Sequence, residues 1–288
     1  MTDGTTPVEA LLSILDLSST GARTREDIYT GVSHEMPLGR IFGGQVLAQA
    51  IVAAERTVEE GRVPHSMHGY FLRPGDASQG ITLAVDRIHD GRSFSTRRTQ
   101  AYQNGVPIFS MIASFEAESP GLEHQAEMPS DLPGPGDLEA DSGIRGIHPM
   151  TRRTMVQNPI EVRHIPSPIY MSVEGERVPR QAVWMRTRSP LPDEPWMHRA
   201  ALAYMSDLTI QESVLRAHGV PWATPGMKVA SLDHAMWWHR PGRADTWLLY
   251  VQESPSARAG RGLATGRLFQ QDGTLVASVA QEIMVRVP

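Results

Sequence analysis

The chain contains no cysteine, and Lys228 is the only lysine among its 27 basic residues. The first absence removes a disulfide framework, a thiolate metal site and a cysteine nucleophile, and it fits a reducing compartment. The second leaves one residue for Schiff-base chemistry, and nothing around Lys228 recommends it; a genome that prefers arginine codons accounts for the imbalance. No stretch approaches the roughly 18 consecutive apolar residues of a membrane span. Met1-Thr2-Asp3-Gly4 lacks the basic start and apolar run of a secretory leader. Arg286-Val287-Pro288 carries no lipidation or peroxisomal address. Together these absences lead to the expectation of a cytoplasmic protein. A net charge of -5 and a pI near 6.1 argue against a nucleic-acid partner, which selects a basic surface.

Several catalytic signatures are missing as well. There is no G-x-S-x-G elbow, no H-E-x-x-H helix and no G-x-x-x-x-G-K-[ST] phosphate loop. Gly39 to Gly44 (GRIFGG) departs from the dinucleotide fingerprint and reads as a close-packed helix entrance. His65 with His68, and His234 with His239, have the spacing of weak metal pairs, but no carboxylate or cysteine array accompanies them. They read as ordinary strand or loop histidines, so neither a metal nor a cofactor is expected. Arg97, Arg98, Arg258, Arg261 and Arg267 could meet phosphates, yet most of them read as a solvated strand face.

What the chain does have is length and a repeat. Its 288 residues suit one large domain or two of ordinary size, and 40% hydrophobic content is enough for a real core. Arg73-Pro74-Gly75 returns 167 residues later as Arg240-Pro241-Gly242. Ile81 to Val85 is answered by Trp247 to Val251 at 166, and Gln103-Asn104-Gly105 by Gln271-Asp272-Gly273 at 168. Upstream, Val46-Leu47-Ala48 resembles Ala201-Leu202-Ala203 at 155. Four matches in one order, drifting only through short gaps, point to a duplication. Each copy reads as a small-residue helix followed by alternating strands rich in β-branched and aromatic residues. Asn104-Gly105 and Asp272-Gly273 read as two-residue hairpin turns, because a primed turn needs positive φ. Between the copies, Glu116 to Met150 is acidic and proline-rich, and no lysine or arginine lies between Arg98 and Arg145. Such composition buries little surface and reads as a linker or mobile loop.

The motifs themselves are familiar. Gly43-Gly44-Gln45, His65 to Phe71 with Arg73-Pro74-Gly75, and Asp90-Gly91-Arg92-Ser93-Phe94 resemble the first half of the acyl-CoA thioesterase II (TesB-like) family. Ala203-Tyr204-Met205-Ser206-Asp207, Ser231 to Pro241, and Asp272-Gly273 through Val279-Ala280-Gln281-Glu282 resemble its second half. The likeness runs from about residue 8 to the end and weakens in the acidic stretch. It implies an α+β double hotdog, two tandem antiparallel sheets each wrapping a central helix. The expected division is an N-terminal hotdog at 8–118, a linker at 119–154 and a catalytic C-terminal hotdog at 155–288. It also implies hydrolysis of acyl-CoA to fatty acid and coenzyme A, and self-association into a homo-oligomer.

By motif position, the family's water-holding aspartate, threonine or serine, and glutamine fall on Asp207, Ser231 and Gln281. Threonine is the commoner residue at the second place; serine keeps the hydroxyl but loses the β-methyl that stiffens χ1. The trio suits a thioester. A thiol has a pKa of about 8.5 and leaves as a thiolate without strong protonation, so no histidine acid is demanded. A positioned water, a base for its proton and donors for the oxyanion suffice. Asp207 would be the base, Ser231 and Gln281 would hold the water, and N–H groups at a helix N-terminus could meet the oxyanion. Taken alone, Asp207 could cap the following turn, Leu208 to Glu212, and Ser231 and Gln281 are ordinary strand polars. Their joint occurrence separates the readings. At the repeat's spacing, Gln281 aligns with Ala113 and Asp207 with Val52, so one catalytic site per chain is expected, in the second copy. A hotdog hydratase would need a histidine close behind the aspartate, and the next one is His218. A non-catalytic acyl-CoA sensor or carrier would have no use for the intact trio.

Overall fold

The computed structural model describes residues 4–21, 25–34, 39–143 and 155–288. In chain order the elements run α1 (Pro7–Leu15), β1 (Ser18–Ser19), β2 (Glu26–Gly31), α2 (Gly43–Glu55), β3 (Arg62–Phe71), β4 (Ile81–Asp90), β5 (Phe94–Gln103) and β6 (Val106–Ala117). After the connecting stretch come β7 (Ile160–Ile165), β8 (Arg180–Thr187), α3 (Pro195–Ser206), α4 (Glu212–Ala217), β9 (Lys228–Ser231) and β10 (Asp233–Trp238). The chain ends with β11 (Leu248–Arg258), β12 (Arg261–Gln270) and β13 (Leu275–Arg286).

All thirteen strands belong to one sheet, ordered β1-β2-β4-β5-β6-β3-β10-β13-β12-β11-β8-β7, with β9 pairing β13 beside that path. From β2 to β8 the order is a palindrome about the β3·β10 seam, so each side repeats the same arrangement. At the seam Ala235 faces His68 and Met236 faces Met67, antiparallel like every other pair in the sheet. Side chains alternate across the strands. On β6, Phe109, Met111, Ala113 and Phe115 are buried inward, while Ile112 is exposed outward.

The inner face is filled by α2 and α3. Residues 44–54 of α2 are buried all round, as are residues 200–206 of α3, the pattern of a helix enclosed by its sheet. Burying a Leu, Ile or Val side chain such as Leu47, Ile51 or Val46 contributes roughly 1.5–3 kcal/mol. The helices lie antiparallel against each other. Gly44 of α2 meets Tyr204 of α3, and at the other end Arg199 hydrogen-bonds Glu55. Close approach is possible because the entrance to α2 is glycine: a Cβ on Gly44 would lie 2.4 Å from the Tyr204 carbonyl oxygen. The α1 helix, started by a Thr6–Glu9 capping box, closes the core with Leu11, Ile14 and Leu15.

Two expectations need correction. Asn104 and Gly105 have φ of 50° and 73°, as a two-residue primed turn requires, but at the second hairpin only Gly273 is left-handed. There the strands are joined by a four-residue loop in which the Gly273 N–H donates to the Gln270 carbonyl, and β12·β13 pairing slips next to it. With two more residues in the loop than at Asn104-Gly105, a single left-handed glycine suffices to close it. The acidic stretch also buries more than its composition suggests. Ala126, Met128, Leu132 and Leu138 pack on Trp184, Leu249, Phe269 and Leu275, on the sheet face opposite the helices. Its carbonyls accept hydrogen bonds from the Trp184 indole (Pro133, 2.9 Å) and from Arg163 (Leu138, 3.1 Å). Well-spaced apolar side chains on a proline-stiffened chain lose little entropy on docking. Residues 144–154 of that stretch lie outside the described residues.

Candidate active site

Asp207 is the C-cap residue of α3 and is buried, although the helix end would normally leave a polar group to solvent. Its carboxylate does not cap the following turn. Instead Oδ1 accepts from Gln281 Nε2 at 2.6 Å and from Ser231 Oγ at 3.3 Å. The backbone N–H of Gly44, in the first turn of α2, lies close enough to the carboxylate to help hold its pKa down. A helix N-terminus favours a negative charge there. Gly43 makes room for it, because a Cβ at that position would come within 2.5 Å of Oδ2.

Strand geometry delivers the other two residues. β13 pairs β10 through Ala277–Ala280 and then β9 through Ile283–Arg286. Gln281 sits where the partner changes, on the inward face and fully buried. The gap is tied by the Glu282 N–H donating to Asp233 Oδ1 at 2.7 Å and the Leu232 N–H donating to the Glu282 carbonyl at 2.9 Å. Ser231 ends β9 on the far side of that gap. The structure therefore brings Asp207, Ser231 and Gln281 together from a helix end and two strands.

Burial pushes the Asp207 carboxyl up to about 6, against the pull of the Gln281, Ser231 and Gly44 donors. A carboxylate so poised is a competent base near neutral pH.

Three further groups complete the cluster, and sequence reading missed their part in it. Gln211, at the start of α4, donates from Nε2 to Ser231 Oγ at 3.0 Å. His234 lies with Nδ1 3.3 Å from Gln281 Nε2 and Nε2 2.9 Å from Ser206 Oγ. Ser206 in turn donates to the Ala203 carbonyl at 2.8 Å. Nothing in the local sequence marks Gln211. His234 was visible only as half of a metal-like pair, and its partner in that pair, His239, instead lies 2.9 Å from Ser278 Oγ. His68 meets Asp233 at 3.0 Å. Among the described residues no group of three or more His, Asp or Glu could hold a metal ion.

Two other expectations change. Arg97 is no solvated strand residue: it is 1% exposed, bound to Thr57 Oγ1 and to Asp90 Oδ1. The position matching Asp207 in the first repeat is also shifted. Asp207 caps α3 and Arg56 caps α2, whereas Val52 lies one turn earlier, inside the helix. A slip of one helical turn keeps the apolar periodicity, so a match between small-residue runs cannot detect it. Arg56 shares a cavity of about 330 Å³ with Leu12, Leu15, Trp196 and Met197. That cavity holds none of the trio.

A family model described as Acyl-CoA thioesterase matches residues 154–284, and one described as Acyl-CoA thioesterase N-terminal domain matches residues 32–116. Acyl-coenzyme A thioesterase 8 of Homo sapiens is 38% identical over 277 residues, covering 91% of this chain and 85% of that one. The crystal structure of an acyl-CoA thioesterase II TesB2 from Mycobacterium marinum aligns over 97% of this chain and 98% of that one, with 42% identity and a TM-score of 0.77. A conserved protein of unknown function with hot dog fold from Alicyclobacillus acidocaldarius shares the architecture at 20% identity, TM-score 0.79, covering 97% of this chain and 98% of that one.

Proposed function

Because the chain belongs to the acyl-CoA thioesterase family and has its double hotdog fold, we propose that it hydrolyses fatty acyl-CoA with a water held and activated by Asp207, Ser231 and Gln281. The observation that carries this reading is one carboxylate oxygen receiving both the Gln281 amide and the Ser231 hydroxyl inside a buried site. Asp207 takes the proton as the water attacks the thioester carbonyl, and the tetrahedral intermediate collapses with loss of the coenzyme A thiolate. The thiolate is a good leaving group, which is why the site manages without a general acid.

A hydratase reading gains a histidine that sequence distance alone would have placed too far away. His234 is nevertheless unsuited to moving a proton at carbon. It is fully buried, burial pushes it down to about 3, and both ring nitrogens are already engaged. The test is thiol release from palmitoyl-CoA followed with a chromogenic disulfide. The parent protein turns over and Asp207→Asn is slower by roughly 10²–10⁴-fold; equal rates would discard the mechanism.

The same reading includes the two-hotdog division at 8–118 and 155–288, a cytoplasmic setting and self-association. In support of the last, Tyr70, Ile112 and Trp237 are each exposed on the outer face of the strands around the β3·β10 seam. No helix among the described residues is long and apolar enough to cross a membrane.

A further inference from the structure

We propose that His234 is a positioning residue whose imidazole, oriented by Ser206, fixes which end of the Gln281 amide meets Asp207. The inference rests on the reading of Asp207, Ser231 and Gln281 given above, and goes beyond it by assigning a role to two groups outside the trio.

The protons decide the direction of each contact. The Ser206 hydroxyl has one hydrogen, and it goes to the Ala203 carbonyl, which can only accept. Ser206 Oγ is left as an acceptor, so the His234 Nε2 facing it at 2.9 Å carries a proton. In a neutral ring the other nitrogen, Nδ1, is then bare and can only accept. The group 3.3 Å from it is the Gln281 amide, which must present its NH2 end. The second N–H of that NH2 reaches Asp207 Oδ1 at 2.6 Å. The donations thus run outward from the Gln281 NH2, one way through His234 and Ser206 to the Ala203 carbonyl and the other way to the Asp207 carboxylate.

The ring must be neutral for this to work, and full burial keeps it so. A protonated Nδ1 would face an NH2 group, drive the amide to turn round, and put an oxygen against the carboxylate. Asp207 would then lose its shortest donor. Among the described residues, the titratable groups that act on Asp207 are the phenols of Tyr204 and Tyr250, both raised by burial, and His234 reaches it through Gln281. His234 is faced in turn by His68, which pairs with Asp233. No cation lies among these groups to replace the lost donor.

The experiment measures kcat and KM against pH with palmitoyl-CoA for the parent, His234→Leu, His234→Asn, Gln281→Ala and the double variant His234→Leu/Gln281→Ala. An unpinned amide should lower kcat about 3- to 10-fold in His234→Leu, matching the loss of one oriented hydrogen bond, with KM within about twofold. The acid limb of kcat/KM should move to higher pH, because Asp207 is less well solvated by its donor. In His234→Asn the side-chain oxygen can accept in place of Nδ1, so most of the rate should return. The double variant should be no slower than Gln281→Ala alone, since there is no amide left to orient.

A double variant slowed by the product of the two single effects, or an acid limb that stays in place in His234→Leu, would overturn the proposal. If His234→Leu does not fold, Ser206→Ala tests the same relay from its far end without altering β10. Its acid limb should rise too, and an unmoved limb overturns the proposal equally. Failure of the underlying mechanism looks different: Asp207→Asn would then keep the parental rate, whatever His234 does.

Discussion

At the residue scale, the site is a set of hydrogen bonds converging on one carboxylate, and its members should not contribute equally. Asp207→Asn keeps the size and hydrogen bonding of the side chain but removes the base, so kcat should fall roughly 10²–10⁴-fold. Ser231→Ala and Gln281→Ala each remove a positioning bond, worth about 0.5–1.5 kcal/mol net, and should cost less than Asp207→Asn. Ser231→Thr keeps the hydroxyl and adds a methyl that stiffens χ1, so it should stay within a few-fold of the parent. Steady-state kinetics on folded variants reads all four, and the order of losses is the critical result. The pH dependence follows from the same carboxylate. Asp207 works as the anion and burial has raised it to about 6. Activity should therefore be lost as pH falls through about 6 and level off above it, as kcat/KM measured from pH 4.5 to 8 would show.

At the element scale, the first turn of α2 is where two helices and the Asp207 carboxylate meet. Gly43 and Gly44 have different tasks there. A methyl group on Gly44 meets the Tyr204 carbonyl and the Phe42 ring, so Gly44→Ala should cost about 1–3 kcal/mol of stability through overpacking. For a chain of this size that lowers Tm by roughly 2–4 °C per kcal/mol. A methyl group on Gly43 meets the Asp207 carboxylate and the Phe71 ring, so Gly43→Ala should depress kcat more than it depresses Tm. Thermal melts beside kinetics separate the two effects. The glycines were legible in the sequence as a tight helix entrance. That this entrance in the first repeat would meet the carboxylate of the second was not, since only the antiparallel packing of α2 on α3 joins them.

At the scale of the whole molecule, the connecting stretch is held by a buried ionic cluster. Asp141 Oδ2 lies 2.7 Å from His164 Nδ1, though not aligned as a hydrogen bond, and accepts from the Tyr170 hydroxyl at 2.7 Å. His164 Nε2 meets Glu212 Oε2 at 2.7 Å. Burial opposes charge on His164, but the two carboxylates outweigh it and push the ring up to about 10. The folded value exceeds the ordinary 6.5, so this contribution is fully present below pH 6.5 and lost as pH rises towards 10. Removing the cation leaves two buried carboxylates without their partner, a cost of about 3–5 kcal/mol. His164→Leu at pH 7 should therefore release the stretch to a glutamate-specific protease, which can cut at Glu118, Glu123, Glu127 and Glu139, where trypsin has no site. The parent should resist at pH 7 and become cleavable as pH approaches 10. A second whole-molecule test concerns the exposed Tyr70, Ile112 and Trp237. If they form a self-association surface, Trp237→Glu should reduce the mass measured by light scattering, and a monomeric parent would refute that.

The sequence by itself determined the duplication, the alternating strands, the buried helices and the three polar residues at the centre of the candidate site. These are local patterns or direct matches of residue to motif, and both survive without knowledge of distance. Only the tertiary structure decided the rest. The β3·β10 seam makes one sheet of two, the partner change on β13 turns Gln281 inward beside Ser231, and Gln211, His234 and Ser206 enter the network from separate elements. The Val52 and Arg56 correspondence and the docking of the acidic stretch failed for related reasons. A helical pattern is unchanged by a one-turn slip, and composition does not reveal which neighbouring surface a few leucines will cover. Hydrogen bonds between residues far apart in the chain depend on where the backbone puts them, and that is a property of packing rather than of any local pattern.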